Sequence, residues 1–164
     1  MRKLMIIGHS GHGKDTVASM LSQIRPYRYI PASLYVAKNI IFPQMKDKYA
    51  NFIDCFEDRR NHRALWYNMI QEYTKNDSIR LIREFYQPFD IYTGCRDSVS
   101  LQKAKKEKLI DKVIWIEASK RLPLENESSM KISHSDADYI LYNNDKHLYS
   151  LRNNVNQMII ELTL

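Results

Sequence analysis

Residues 8–16 read Gly8-His9-Ser10-Gly11-His12-Gly13-Lys14-Asp15-Thr16, a run whose residue types and spacing suit the binding of phosphate. Two glycines with four residues between them and a lysine directly after form a loop whose backbone N–H groups turn inward around an anion. The helix that follows adds the partial positive charge of its N-terminus, and the lysine bridges the outer phosphates of a nucleotide. Gly8, Ser10, Gly11, His12, Gly13, Lys14, Asp15 and Thr16 are therefore the candidate nucleotide-binding residues. The whole chain has four glycines and three of them lie here, where backbone must approach a ligand. His9 and His12 have no metal-ligating partner at recognisable spacing, so their backbone is expected to matter more than their rings.

In such loops a Ser or Thr ordinarily follows the lysine and places its hydroxyl on Mg²⁺. Here that position is Asp15, with Thr16 next. A carboxylate is also a hard oxygen ligand, so Asp15 and Thr16 are the expected magnesium-holding pair. As a plain helix cap, Asp15 would contribute only about 1 kcal/mol.

A second constellation is Glu57-Asp58-Arg59-Arg60-Asn61-His62-Arg63. On one helix Arg59 and Arg63 share a face, and two planar guanidinium groups suit the phosphate of an acceptor nucleotide. The competing reading is a solvated, charged helix face. Arg96 and Asp97 follow an apolar run and fall just past the carboxyl end of a strand, where open α/β sheets bind ligands. Their plainer reading is a strand-end arginine and a helix N-cap.

Alternating apolar runs and amphipathic stretches supply the elements that would position these residues. Strands are expected at Leu4–Ile7, Tyr27–Ile30, Phe89–Cys95, Lys112–Ala118 and Tyr139–Tyr142. Helices are expected from Lys14 to about Ile24, from Ser33 to Phe42 and over much of Asn51–Lys75. Others run over Ser78–Tyr86, Val99–Leu109 and Leu148–Leu162. Strands alternating with helices predict a parallel sheet covered on both faces. Ser119–Ala137 is polar and reads as a mobile loop, the lysines at 103, 105, 106 and 108 as a solvated face, and Trp66 and Trp115 as core.

At 164 residues one domain is expected, and 44% apolar content fits a soluble chain. No run of about 18 apolar residues is present, so no membrane span or membrane partner is expected. Met1-Arg2-Lys3 and the short apolar run after it faintly resemble a signal peptide, but the run leads straight into the glycine-rich loop and reads as the first strand. Cys55 and Cys95 suggest no disulfide framework, which makes a reducing cytoplasm the simplest setting. The net charge of +6 favours anionic partners without saying which.

With these pieces placed, the chain resembles the P-loop nucleoside monophosphate kinases, most of all the deoxynucleoside monophosphate kinases of tailed bacteriophages. The matching segments are Gly13-Lys14-Asp15-Thr16, the Cys95-Arg96 strand end, the Lys112–Ile116 strand and the closing Ser135-Asp136-Ala137-Asp138-Tyr139-Ile140-Leu141-Tyr142-Asn143-Asn144. The resemblance implies an α/β P-loop NTPase fold with a five-stranded, mainly parallel sheet and helices on both faces. It also implies a helical acceptor-binding insertion over about residues 33–87 and a short lid over about residues 119–137. The implied activity is phosphoryl transfer from ATP, with Mg²⁺, to a (deoxy)nucleoside monophosphate, giving the diphosphate and ADP, by a monomer or homodimer in a host cytoplasm. Lys14, Arg59, Arg63, Arg96 and Arg121, the only arginine of the lid, are the implied catalytic residues. The family often carries an acidic residue two positions before the strand-end arginine. That position is Gly94 here, leaving Asp97, Asp90 or Asp15 alone to complete the metal site. A kinase for a hydroxymethylated base in phage DNA, with nucleic acid as partner, is the alternative. A nucleotide-binding regulatory protein with little turnover is the alternative of another class.

Overall fold

The computed structural model describes residues 2–126 and 130–164. Four strands, β1 (Leu4–Ile7), β2 (Ile91–Tyr92), β3 (Lys112–Glu117) and β4 (Tyr139–Tyr142), form a parallel sheet in the order β2-β1-β3-β4. Leu4 lies between Ile91 and Lys112, and Ile7 pairs with Trp115, so β1 is central. Its run Leu-Met-Ile-Ile is apolar on both sides because both sides are covered, as parallel sheets require. Leu4 and Ile6 face α1 (Lys14–Ile24) and α7 (Leu148–Glu161), meeting Val17, Leu21, Val155 and Met158. Met5 and Ile7 face α5 (Arg80–Phe85) and α6 (Ser98–Lys106), meeting Phe85, Leu101 and the buried Trp115 of β3.

Between the first helix and β2 the chain builds a helical insertion with its own core. Here α2 (Ala32–Val36) runs into a wide turn over Ala37–Ile41, and α3 (Phe52–Glu57) and α4 (Arg63–Thr74) follow. Val36, Ile40, Ile41, Cys55 and Trp66 pack together in this unit. The helical stretch expected over Asn51–Lys75 is interrupted. Asn51 caps α3 by accepting from the N–H groups of Ile53 and Asp54. A 3₁₀ turn over Asp58–His62 then intervenes before α4, held by the Asp58 carboxylate, which accepts from Tyr49 and Asn61 and pairs with His62.

The expected second strand does not form. Residues 27–30 run beside β2, but the N–H of Arg28 donates to a carboxylate oxygen of Asp90, 2.9 Å away, instead of to a neighbouring backbone. The N–H of Asp90 donates back to the Arg28 carbonyl at 2.8 Å. Pro26 and Pro31 bracket the segment and lack N–H groups of their own, so no ladder can extend. The sheet thus has four strands among the described residues, not five. The strand expected over Phe89–Cys95 contributes only Ile91 and Tyr92 to the ladder. Residues 119–137 contain a 3₁₀ turn at His134–Asp136 closed by a Ser133–Asp136 capping box, and Lys131 pairs with Asp97 in an isolated bridge. Glu127–Ser129 of the expected lid lie outside the described residues. Among the described residues no helix is long and apolar enough to cross a membrane.

Asp90 is buried and also accepts from Lys3 Nζ at 2.8 Å and from Arg28 Nε and Nη2 at 3.0 and 3.1 Å. Burial works against its charge, but the bonds from Arg28 and Lys3 outweigh it and hold the carboxyl well below the ordinary 3.8. A depressed carboxyl stabilises the fold above its unfolded pKa, and that contribution is lost as pH falls from about 4 through the folded value. Asp90→Asn is expected to lower the unfolding free energy by about 1–3 kcal/mol at neutral pH and to lose less on acidification than the parent. Urea titrations of both proteins at neutral pH and at about pH 3 check this; equal acid sensitivity would remove Asp90 from this role.

Candidate functional site

The loop from Gly8 to Gly13 leaves the carboxyl end of β1 and enters α1. At Gly8, with φ 135°, the backbone presses against β3 so closely that a Cβ would lie 2.7 Å from the Ile116 carbonyl oxygen. At Gly13, the N-cap of α1 with φ 102°, a Cβ would lie 2.6 Å from Asn143 Nδ2. Asn143 is buried at the end of β4. Its Nδ2 donates to the His12 carbonyl at 2.8 Å and its backbone N–H donates to the Glu117 carbonyl at 2.7 Å. Gly11 faces open space.

The histidine rings do more than the sequence suggested. His12 is wholly buried; its Nδ1 accepts from the Ala118 N–H at 3.3 Å, so Nε2 carries the proton and donates to the Pro123 carbonyl at 3.1 Å. His9 Nδ1 accepts from the Glu125 N–H at 3.1 Å, and its ring meets Trp115 edge-on. Burial first, then the neighbouring His12, lower the pKa of His9 and favour this neutral state. The two rings therefore bind residues 118–125 to the loop, a role that spacing alone did not reveal.

Charged groups gather around the same loop. Lys14 is half-buried and donates Nζ to the carbonyls of Gly8 and His9, both at 2.8 Å. Its pKa is lowered to about 8 by burial and then by Arg96, against the pull of Glu125 and Asp15. Glu125 accepts from the Ser10 N–H and from Arg96 Nη1, each at 2.6 Å. Asp15, exposed in the first turn of α1, accepts at Oδ1 from the Tyr29 hydroxyl at 2.6 Å and the Thr93 hydroxyl at 2.9 Å. Among the described residues Oδ2 takes no hydrogen bond. Burial, then the bond to Asp15, pushes the Tyr29 phenol far up.

Several expected residues do converge. The Arg59 guanidinium stacks on Phe56 at 3.8 Å, donates to the Phe56 carbonyl at 2.8 Å and feels the charge of Asp15. Burial and the neighbouring charges of Arg60 and Arg63 lower its pKa. Arg59 and Arg63 are thus neighbours, although they stand on a 3₁₀ turn and the start of α4 and not on one helix. Arg121 Nε donates to the Asn143 carbonyl at 2.6 Å, which holds it at the β4 side of the loop. Arg96 is on the β2 side, where it reaches Glu125 and lowers the pKa of Lys14. Thr16 and Asp15 line a cleft of about 720 Å³ between α1 and α7, with Met20, Leu148, Tyr149 and Arg152.

The Asp97 side chain caps α6 by accepting from the Ser100 N–H at 2.8 Å, the plainer of its two expected roles. Asp90 precedes β2 and lies at the amino end of the sheet, away from the loop. An acidic residue at position 94 has no room. A Cβ on Gly94 would come within 2.7 Å of the Tyr92 hydroxyl and 3.0 Å of Ala32 Cβ. Among the described residues no three His, Cys, Asp or Glu side chains come together to enclose a metal ion. Magnesium ordinarily binds through one or two carboxylates together with substrate phosphates, and Oδ2 of Asp15 with the Thr16 hydroxyl suits that donor set. Tyr29, Thr93, Glu125, Asn143, Tyr149 and Arg152 were not singled out from the sequence; only the ends of strands, as the place for ligands, pointed near Thr93 and Asn143. No family model matches the chain, and no curated protein matches its sequence.

Asn143→Ala would leave the His12 carbonyl unpaired behind the loop. An unfolding free energy lower by about 1–3 kcal/mol is expected, with faster amide exchange at His12–Lys14 than in the rest of the sheet. Hydrogen exchange read by mass spectrometry checks it, and unchanged protection of the loop would show that Gly8 alone fixes its path.

Proposed function

We propose that the protein is an ATP-dependent kinase that transfers the γ-phosphoryl group to a nucleoside monophosphate, a deoxynucleotide in particular, as the phage enzymes it resembles do. The observation that carries this reading is the loop after β1. A glycine-rich turn, a half-buried lysine and the start of α1 meet there, with Arg59, Arg96 and Arg121 nearby. In this reading the loop is a P-loop whose N–H groups and Lys14 hold the donor phosphates. Asp15 and Thr16 hold Mg²⁺, which when bound neutralises charge on those phosphates. Tyr29 and Thr93 fix the direction of the Asp15 carboxylate.

Arg59 and Arg63, presented by the insertion across from Asp15, grip the acceptor phosphate. Arg96 and Arg121 flank the path of the transferring group and offset the charge it spreads over its oxygens. The cleft beside Thr16 has the volume of a nucleoside site, with Tyr149 as an exposed aromatic surface for a base. Such transfer needs little covalent chemistry from the protein; positioning and electrostatics supply most of the acceleration. The deciding experiment measures ADP release with each ribo- and deoxynucleoside monophosphate and then with hydroxymethylated DNA. Label passing only into the DNA would make nucleic acid the acceptor.

Lys14→Ala is expected to reduce turnover about a hundredfold or more while leaving the fold intact by circular dichroism. Near-normal turnover in the folded variant would overturn the kinase reading. Asp15→Ala is expected to shift the magnesium dependence of turnover to higher concentration more than it weakens nucleotide binding. Asp15→Ser should recover part of the loss by restoring an oxygen. Magnesium titrations of all three proteins decide this, and superimposable curves would reduce Asp15 to a helix cap.

A further inference from the structure

The donors that would receive phosphate are not all waiting for it. One Glu125 carboxylate oxygen accepts from the Ser10 N–H and the other from Arg96 Nη1, both at 2.6 Å. The charge of Lys14 acts on the same carboxylate. An anion bonded at once to a loop amide and a guanidinium, beside the loop lysine, has the surroundings expected for the oxygens of a phosphate group. The contact is built from both sides. The Glu125 N–H donates to the His9 ring, and the Pro123 carbonyl two residues earlier accepts from the His12 ring, so the loop itself grips the segment that delivers the carboxylate. Burial works against the Glu125 charge, but the bond and charge of Arg96, the Ser10 N–H and Lys14 outweigh it and hold the carboxyl below its ordinary range.

We propose that Glu125 is a resident competitor for the phosphate-binding loop: a polyphosphate occupies Ser10 and Arg96 only by displacing the Glu125 carboxylate. This rests on the reading that the loop binds phosphate, and it adds a residue that sets which anions can stay there. A tethered carboxylate competes at an effective concentration of about millimolar or higher, without any encounter in solution. Only the fraction of molecules with the carboxylate released is competent, so each anion that uses those two donors loses apparent affinity by the same factor. Weakly held anions such as inorganic phosphate then fall below useful occupancy. A triphosphate, with Lys14 and several loop amides to bind as well, stays above it.

Calorimetric titration of the full chain with inorganic tripolyphosphate tests the proposal on the parent, Glu125→Gln and Glu125→Asp. Gln removes the charge. Asp keeps the charge but is too short to reach Ser10 and Arg96 together. Displacement requires both variants to bind tripolyphosphate about tenfold or more tightly than the parent. A gain with Gln alone would mean that the charge acts only through space, and it would overturn the proposal. No gain in either variant would overturn it as well. Failure of all three proteins to bind tripolyphosphate would overturn both the competitor and the phosphate-binding loop. A gain in both variants with no label transferred from ATP to any monophosphate would leave the competitor standing and remove the kinase reading.

Discussion

The backbone leaving β1 touches its neighbours twice, β3 at Gly8 and the Asn143 side chain at Gly13, and neither point has room for a Cβ. These two contacts fix where the loop begins and where α1 starts. Asp15 and Thr16 are placed by that start, and the His12 carbonyl is satisfied by the amide that crowds Gly13. The central position of β1 makes the constraint possible, because both of its faces are already packed and the strand cannot shift to relieve a collision. A side chain introduced at Gly8 would have to move the β3 backbone, with the cores on both sides resisting, whereas one at Gly13 would displace the Asn143 side chain from the His12 carbonyl.

Charge is divided between the two ends of the sheet. At the amino end, Asp90 is surrounded by Lys3 and Arg28, and the pairing is purely architectural. At the carboxyl end, Lys14, Arg59, Arg96 and Arg121 lie around the loop, with the carboxylates of Asp15, Glu117 and Glu125 among them. Lys14 spends its hydrogen bonds on the loop's own carbonyls, and Asp15 keeps one oxygen uncommitted. This end of the molecule thus holds its charges in fixed positions, most of them already bonded to groups of the chain itself.

What the sequence made legible at the loop is its backbone: glycines stand where the chain turns with positive φ and presses on its neighbours. Gly8 and Gly13 stand out because close approach to Ile116 and Asn143 allows few other residues there. The strands β1, β3 and β4 are legible as continuous apolar runs, since both faces of a parallel sheet are buried. Tyr27–Ile30 has the same local character, yet its amide is claimed by Asp90, some sixty residues away, and no local pattern carries that information. Apolar periodicity runs through Asn51–Lys75 without registering the side-chain bonds of Asp58 that bend the chain there. Glu125 was invisible for a related reason: an acidic residue in a polar segment has no pattern until the fold brings Ser10 and Arg96 to it. The rings of His9 and His12 looked incidental because their partners, Glu125, Ala118 and Pro123, lie more than a hundred residues away.

The insertion keeps its own packing, with Val36, Ile41, Cys55 and Trp66 set apart from the layers that hold the glycine-rich loop. Substitutions inside that small core can tilt or reshape the arm bearing Arg59 and Arg63 while the loop's surroundings stay as they were. Over generations such a chain can change the surroundings of those two arginines without repacking the strands that carry the loop. The partition separates the rate at which the two halves of the crevice are free to diverge.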